Sequence, residues 1–135
     1  MDILIDASVI MSIIIDEPEK ELAIKLTKNC VLFSPEITPY EIGNALTRLN
    51  KRHILNEKAI IAAYNIFKIL PLGLLKVDIE KALKLSCKYN IYAYDAYYLE
   101  IASRLNLPLL TFDENMKQIG FDINLDIMEE HNENL

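Results

Sequence analysis

Glycine is nearly missing from this chain: 135 residues contain three. None falls in a G-x-G-x-x-G or Walker A pattern, so dinucleotide-binding and P-loop chemistry are excluded. The two cysteines, Cys30 and Cys87, stand far apart with no C-x-x-C and no histidine beside either. That argues against zinc and for a reduced, cytoplasmic protein. Histidine is as scarce, and neither His53 nor His131 has a Ser, Cys or paired-His context for triad chemistry. Arginine is limited to Arg48, Arg52 and Arg104 among 14 basic residues. Contacts to a phosphate backbone would therefore rely on lysine point charges rather than guanidinium forks. No run reaches the roughly 18 apolar residues of a membrane span. Asp2 and Asp6 interrupt the opening apolar stretch, which has no basic n-region, so neither a signal peptide nor membrane insertion is expected.

What remains is the composition of one globular domain. Hydrophobic residues make up 52% and charged residues 25%, with no low-complexity tract or internal repeat. This length buries a sufficient core without disulfides. The net charge of −6 argues against passive binding to nucleic acid. With four acids withdrawn into a metal site, however, that −6 falls to −2 elsewhere, and a polyanionic substrate stays possible.

Short apolar strands alternate with helical patterns along the whole chain. Residues 2–6 read as strand one, and residues 8–16 as a helix apolar on most sides. Pro18 opens a second helix, with Glu17, Glu19 and Glu21 near its positive end. Residues 30–33 form a strand. Thr38-Pro39-Tyr40-Glu41 reads as a capping box that starts a helix running to about Arg52. Asn56 caps a further helix through Ile69. Residues 74–77 form a strand, and 79–89 a helix with Lys81, Lys84 and Lys88 on one face. Asp95 opens the helix that Asn106 ends. Residues 107–112 form a strand, Asp113 begins a short helix that Gly120 stops, and 123–128 read as an edge strand. The order implies an α/β fold, a parallel sheet with helices on both faces, over residues 1–128. Residues 129–135 read as a frayed tail.

Four acids stand out. Asp6 ends the first apolar run, where a desolvated carboxylate needs a reason to exist. Asp113 follows another such run, Leu110-Thr111-Phe112. Both project at the carboxyl edge of the sheet, where open α/β folds bind ligands. Glu41 and Asp95 lie at helix starts, which share that edge when the helix follows a strand. Each has a structural explanation too: capping box for Glu41, N-cap for Asp95 and Asp113. Gathered together, four carboxylates repel by roughly 4 kcal/mol per close pair at an effective dielectric near 20. A hard dication with oxygen ligands relieves this, and the absence of Cys and His points to Mg2+ or Mn2+. Metal-activated attack of water on a phosphodiester suits such a site.

The four segments around these acids are Leu4-Ile5-Asp6-Ala7-Ser8, Tyr40-Glu41-Ile42-Gly43-Asn44-Ala45-Leu46, Tyr94 through Ala102, and Leu110-Thr111-Phe112-Asp113. In order and separation they resemble the PIN domain family, most closely the toxin ribonucleases of VapBC toxin–antitoxin systems. The resemblance covers nearly all of residues 1–128. It implies a three-layer domain with about five parallel strands and an RNA-cleaving site built from Asp6, Glu41, Asp95 and Asp113. Ser8, Asn44 and Thr111 would be polar supports, and a small antitoxin would insert an apolar helix and a basic side chain.

The reading is thus an Mg2+- or Mn2+-dependent endoribonuclease in which Asp6 and Asp95 hold the principal metal. Asp113 and Glu41 complete the pocket through waters or a second metal. Its rivals are a PIN-like metal- or RNA-binding scaffold without catalysis and a housekeeping RNA-processing nuclease. A dehalogenase-type phosphatase needs Asp-x-Asp, but position 8 is Ser; a receiver needs a late-strand Lys where Asp113 stands. Tyr89, Tyr92, Tyr94, Tyr97 and Tyr98 crowd around Asp95, suited to helix packing or to base stacking. Val9–Ile15, apolar around its circumference, and Ile42, Leu46 and Leu49 suggest a face shared with a second copy, hence a homodimer.

Overall fold

In the computed structural model, which describes residues 1–130, strands and helices alternate from the first residues onward. Strand β1 (Asp2–Ile5) leads into α1 (Ala7–Ile14) and α2 (Lys20–Thr27). Then come β2 (Val31–Pro35), α3 (Thr38–Lys51), α4 (Glu57–Ile69) and β3 (Leu72–Leu75). The chain continues through α5 (Ile79–Tyr89), α6 (Ala93–Leu105), β4 (Leu109–Leu110) and α7 (Glu114–Asp122). The sheet order is β3-β2-β1-β4 and every pairing is parallel. Connections run outward from β1 to β3 and then cross to β4 on its other side. The order therefore reverses at β1, and its carboxyl end is the crevice where open α/β sheets bind ligands.

Side-chain alternation explains the layering. Ile3 and Ile5 face one core with Val9, Ile10 and Ile14 of α1, Ile42 and Leu46 of α3 and Phe67 of α4. Leu4 faces the other with Tyr98, Leu99 and Ile101 of α6 and Met116 and Ile119 of α7. The scarcity of glycine has a visible consequence. Asn90 and Asn106 close α5 and α6 in the left-handed conformation, with φ of 53° at both. Asparagine, the best non-glycine residue there, takes the role glycine usually fills.

Several expectations need correction. The sheet has four strands, not about five. Residues 123–128 add only a parallel bridge between Leu109 and Ile127, because α7 extends to Asp122 and Asn124 turns left-handed, leaving too little chain for a strand. Gly120 does not stop α7. It lies inside the helix, where a Cβ would come within 2.5 Å of Ile127 Cδ1, so close packing explains it. Thr38 is not an N-cap: Ile37 occupies that position without a side-chain bond, and no capping box forms. Tyr92, not Asp95, is the N-cap of α6. The apolar faces read as an interface with a second copy are consumed within the chain. Val9 and Ile10 are fully buried, as is Ile42, and Leu46 is 2% exposed. Of the tail read at 129–135, residues 131–135 lie outside the described residues. Glu129 and Glu130 are exposed, with Glu130 paired to Lys25 at 2.9 Å. Among the described residues no helix is long and apolar enough to cross a membrane.

Candidate active site

Asp6 follows the last residue of β1 and is the N-cap of α1, which no sequence pattern marked. Its Oδ1 accepts from the Val9 backbone N–H at 3.2 Å and from the Ser8 hydroxyl at 2.6 Å. Its Oδ2 accepts from the Thr111 hydroxyl at 2.5 Å. Three of its roughly four acceptor positions are filled, and the one left is on Oδ2. Asp6 is only 3% exposed. Burial pushes its carboxyl up to about 6, against the three hydrogen bonds, and Asp113 adds to the rise.

The two hydroxyls do more than hold Asp6. Ser8 Oγ also accepts from the Phe112 N–H at 3.0 Å, and Thr111 Oγ1 from the Asp113 N–H at 3.0 Å. Each hydroxyl thus donates once and accepts once, tying the end of β1 to the loop after β4. That network fixes the start of α7, where Asp113 caps the helix through the Met116 N–H at 2.8 Å.

Glu41 sits in the first turn of α3, half-buried, and accepts from the Tyr98 hydroxyl through Oε2 at 2.7 Å. Burial raises its carboxyl. The Tyr98 hydrogen bond opposes the rise, Asp6 and Asp95 add to it, and Arg48 opposes it. Asp95 occupies the first turn of α6, where the helix dipole favours an anion. Burial and the Asp113 charge nonetheless raise its carboxyl too. The acids therefore act on one another pairwise: Asp113 on Asp6 and Asp95, and Asp6 and Asp95 on Glu41. The bland reading of Asp113 as an N-cap is also true, so cap and site residue are not exclusive.

Of the implied supports, Ser8 and Thr111 touch Asp6. Asn44 does not: it lies exposed on α3, its side chain outside the hydrogen bonds around the acids. The residue whose role went unread is Tyr98. Buried to 1%, it donates to Glu41, and its oxygen lies 3.0 Å from Thr38 Oγ1. A buried phenol must find a partner. Its place three residues after Asp95, on the apolar face of α6, was the available signal.

The donor set is entirely oxygen and crowded with like charge, which fits a hard dication such as Mg2+ or Mn2+. Among the described residues, however, no three such side chains converge as a ready-made metal cage. Beside the acids opens a cleft of about 1050 Å³. Its walls include Glu41, Asp95, Tyr40, Tyr92, Tyr94 and Tyr97.

Parallel topology, a switch point at β1 and a buried carboxylate, Asp6, at its carboxyl end define an open α/β domain with an acidic crevice, and comparison with known proteins places it. The PIN domain family model matches residues 3–122, and the chain belongs to that family. Ribonuclease VapC3 of Pyrobaculum aerophilum is 25% identical over 123 residues, covering 87% of this chain and 94% of that protein. Among solved structures, PAE2754 from Pyrobaculum aerophilum superposes with a TM-score of 0.64 at 19% identity, over 92% of this chain and 90% of that one. Mycobacterium tuberculosis VapC20, a toxin that cleaves the sarcin–ricin loop, gives 0.66 at 18%, over 87% and 95%. Both share the fold of parallel strands flanked by helices.

Proposed function

We propose that this chain is a divalent-metal-dependent endoribonuclease, the cytoplasmic toxin of a toxin–antitoxin pair. What supports the reading is that Asp6, Glu41, Asp95 and Asp113 raise one another's carboxyls pairwise beyond the carboxyl end of β1, the first three standing above their ordinary values. Asp6 and Asp95 are the principal metal ligands; Glu41 and Asp113 complete the site through waters or a second ion. Bound there, Mg2+ or Mn2+ supplies Lewis-acid polarisation of the phosphodiester and lowers the pKa of an attacking water. The chain's own part is positioning. Ser8 and Thr111 hold the Asp6 carboxylate and leave one Oδ2 acceptor position open, and Tyr98 holds Glu41. VapC3 and VapC20, both named as RNA-cleaving, support this assignment.

Cleavage of unpaired RNA, measured with Mg2+ or Mn2+, with EDTA, and in Asp6→Asn, tests the proposal. Metal-dependent cleavage lost in Asp6→Asn supports it. Cleavage indifferent to both points to a contaminant and removes it. The lack of a converged cage favours one second reading, a PIN-like RNA- or metal-binding scaffold. Binding of RNA with no turnover in either metal would select that reading. Co-purification with the product of a small neighbouring reading frame tests the antitoxin. A homodimer remains part of the proposal, but not through α1. Exposed Ile69, Leu74, Ile79 and Leu83 around edge strand β3 are the better candidates. A 15.5 kDa species at all micromolar concentrations in light scattering would exclude it.

A further inference from the structure

We infer that the tyrosine-lined cleft beside the acids is a base-binding subsite, which takes an unpaired nucleobase next to the phosphate held at the carboxylates. This rests on the ribonuclease reading and adds the form of substrate to it. The cleft is walled by Tyr40, Tyr92, Tyr94 and Tyr97, and its acidic wall is Glu36, Glu41 and Asp95. Tyr40 is 76% exposed and Tyr92 87%, unusual for rings that serve only to pack a helix. Tyr94 and Tyr97 meet edge to face, with centroids 5.9 Å apart at 87°, which braces one wall. Every base has a π-face, and stacking on such rings is worth about 1–3 kcal/mol per base.

Charge decides which part of a nucleotide enters. Among the described residues no lysine or arginine lines the cleft, so a phosphate seated deeper in it, away from an ion at Glu41 and Asp95 and beside Glu36, would meet a carboxylate without a counter-charge. A neutral base meets no such penalty, and its N–H edges can donate to the carboxylates. Arg48 is a cation whose field reaches Glu41. On α3, Glu41, Asn44 and Arg48 follow one another at i, i+3 and i+7, one stripe of the helix. The phosphate backbone leaves the acids along that stripe, past exposed Asn44, while the base turns the other way into the cleft. A duplex cannot do this without opening a pair, so the substrate is a loop or a single strand.

The test is binding, not turnover, and uses the Asp6→Asn chain in Mg2+ so that RNA stays intact. Probes are a single-stranded hexaribonucleotide, the same sequence in a duplex, its abasic counterpart, and an arginine-rich peptide. The chain has no tryptophan, so its emission reports the tyrosines directly. The single strand is expected to quench that emission and to bind about tenfold tighter than the abasic strand, as one stacked base provides. Tyr92→Ala and Tyr40→Ala each remove most of that preference and leave abasic binding unchanged. Equal affinity for base-bearing and abasic strands, or a preference indifferent to both substitutions, overturns the subsite. Quenching by the arginine-rich peptide and not by the hexamer assigns the cleft to a protein partner, and overturns it also. Base-dependent binding by a chain whose unsubstituted form cleaves nothing keeps the subsite and removes the ribonuclease reading. Cleavage with tyrosine-indifferent binding does the opposite.

Discussion

Two of the four acids are wired into the protein and two are not. Asp6 is buried and takes bonds from Ser8, Val9 and Thr111; half-buried Glu41 takes one from Tyr98. Asp95 makes no side-chain bond among the described residues, and Asp113, exposed, makes only its helix cap. The first pair is fixed by hydroxyl donors before any ligand arrives. The second pair stands at helix starts, Asp95 half-buried and Asp113 exposed, with no hydroxyl donor holding either carboxylate. Such a division reconciles crowded carboxylates with the absence of a ready cage: one side of the site is held by hydroxyls and the other is not.

The largest effect should come from the acids themselves. Asp6→Asn and Asp95→Asn are both expected to lower RNA cleavage by at least about 100-fold, the upper range for changes one shell further out. Circular dichroism should show the fold retained. Asp6→Asn removing activity while Asp95→Asn leaves it intact would break the pairing of the two as principal ligands.

Next in size is Thr111→Val, which removes a hydroxyl that donates once and accepts once. It leaves Asp6 Oδ2 and the Asp113 N–H without a partner, costing about 1–3 kcal/mol of stability. Cleavage should fall roughly 10–100-fold. Cleavage left unchanged by Thr111→Val would contradict the wired and unwired distinction.

The pH dependence follows from Asp6. Its folded pKa, raised from 3.8 to about 6, means that the metal-free native state binds more protons than the unfolded chain between those values. The stabilising contribution is therefore complete below about pH 4 and is lost as pH rises through 6, by about 3 kcal/mol. Glu41 and Asp95 shift in the same direction. In EDTA, the stability difference between the unsubstituted chain and Asp6→Asn should move against the former from pH 4 to pH 7. A constant difference would mean that Asp6 is not strained. The smallest effect is that of Tyr98→Phe. It removes one hydroxyl from Glu41 and Thr38 at about 1–2 kcal/mol, read from urea midpoints.

The strand–helix alternation was legible because apolar runs such as Ile3–Ile5 admit little else, and Asn56 and Asn106 mark helix ends chemically. Asp6 and Asp113 stood out for the same reason: a carboxylate directly after such a run invites explanation. The fifth strand was not, because residues 123–128 carry apolar residues whose pairing depends on where α7 happens to end. Nor was the fate of α1, since a helix apolar all round reads alike whether the second face meets its own domain or another copy. The capping box failed on tertiary competition. Thr38 and Glu41 have the right spacing, but both find the Tyr98 hydroxyl, 57 to 60 residues away. No local pattern reports a partner at that separation.

If these four acids form one cation site, thermal melting against Mn2+ at pH 7 will show it. The metal-free chain is expected to gain several degrees on titration, as binding to the native state alone requires, while Asp6→Asn gains little. A melting temperature that Mn2+ leaves unchanged in the unsubstituted chain, or raises equally in Asp6→Asn, would contradict the account.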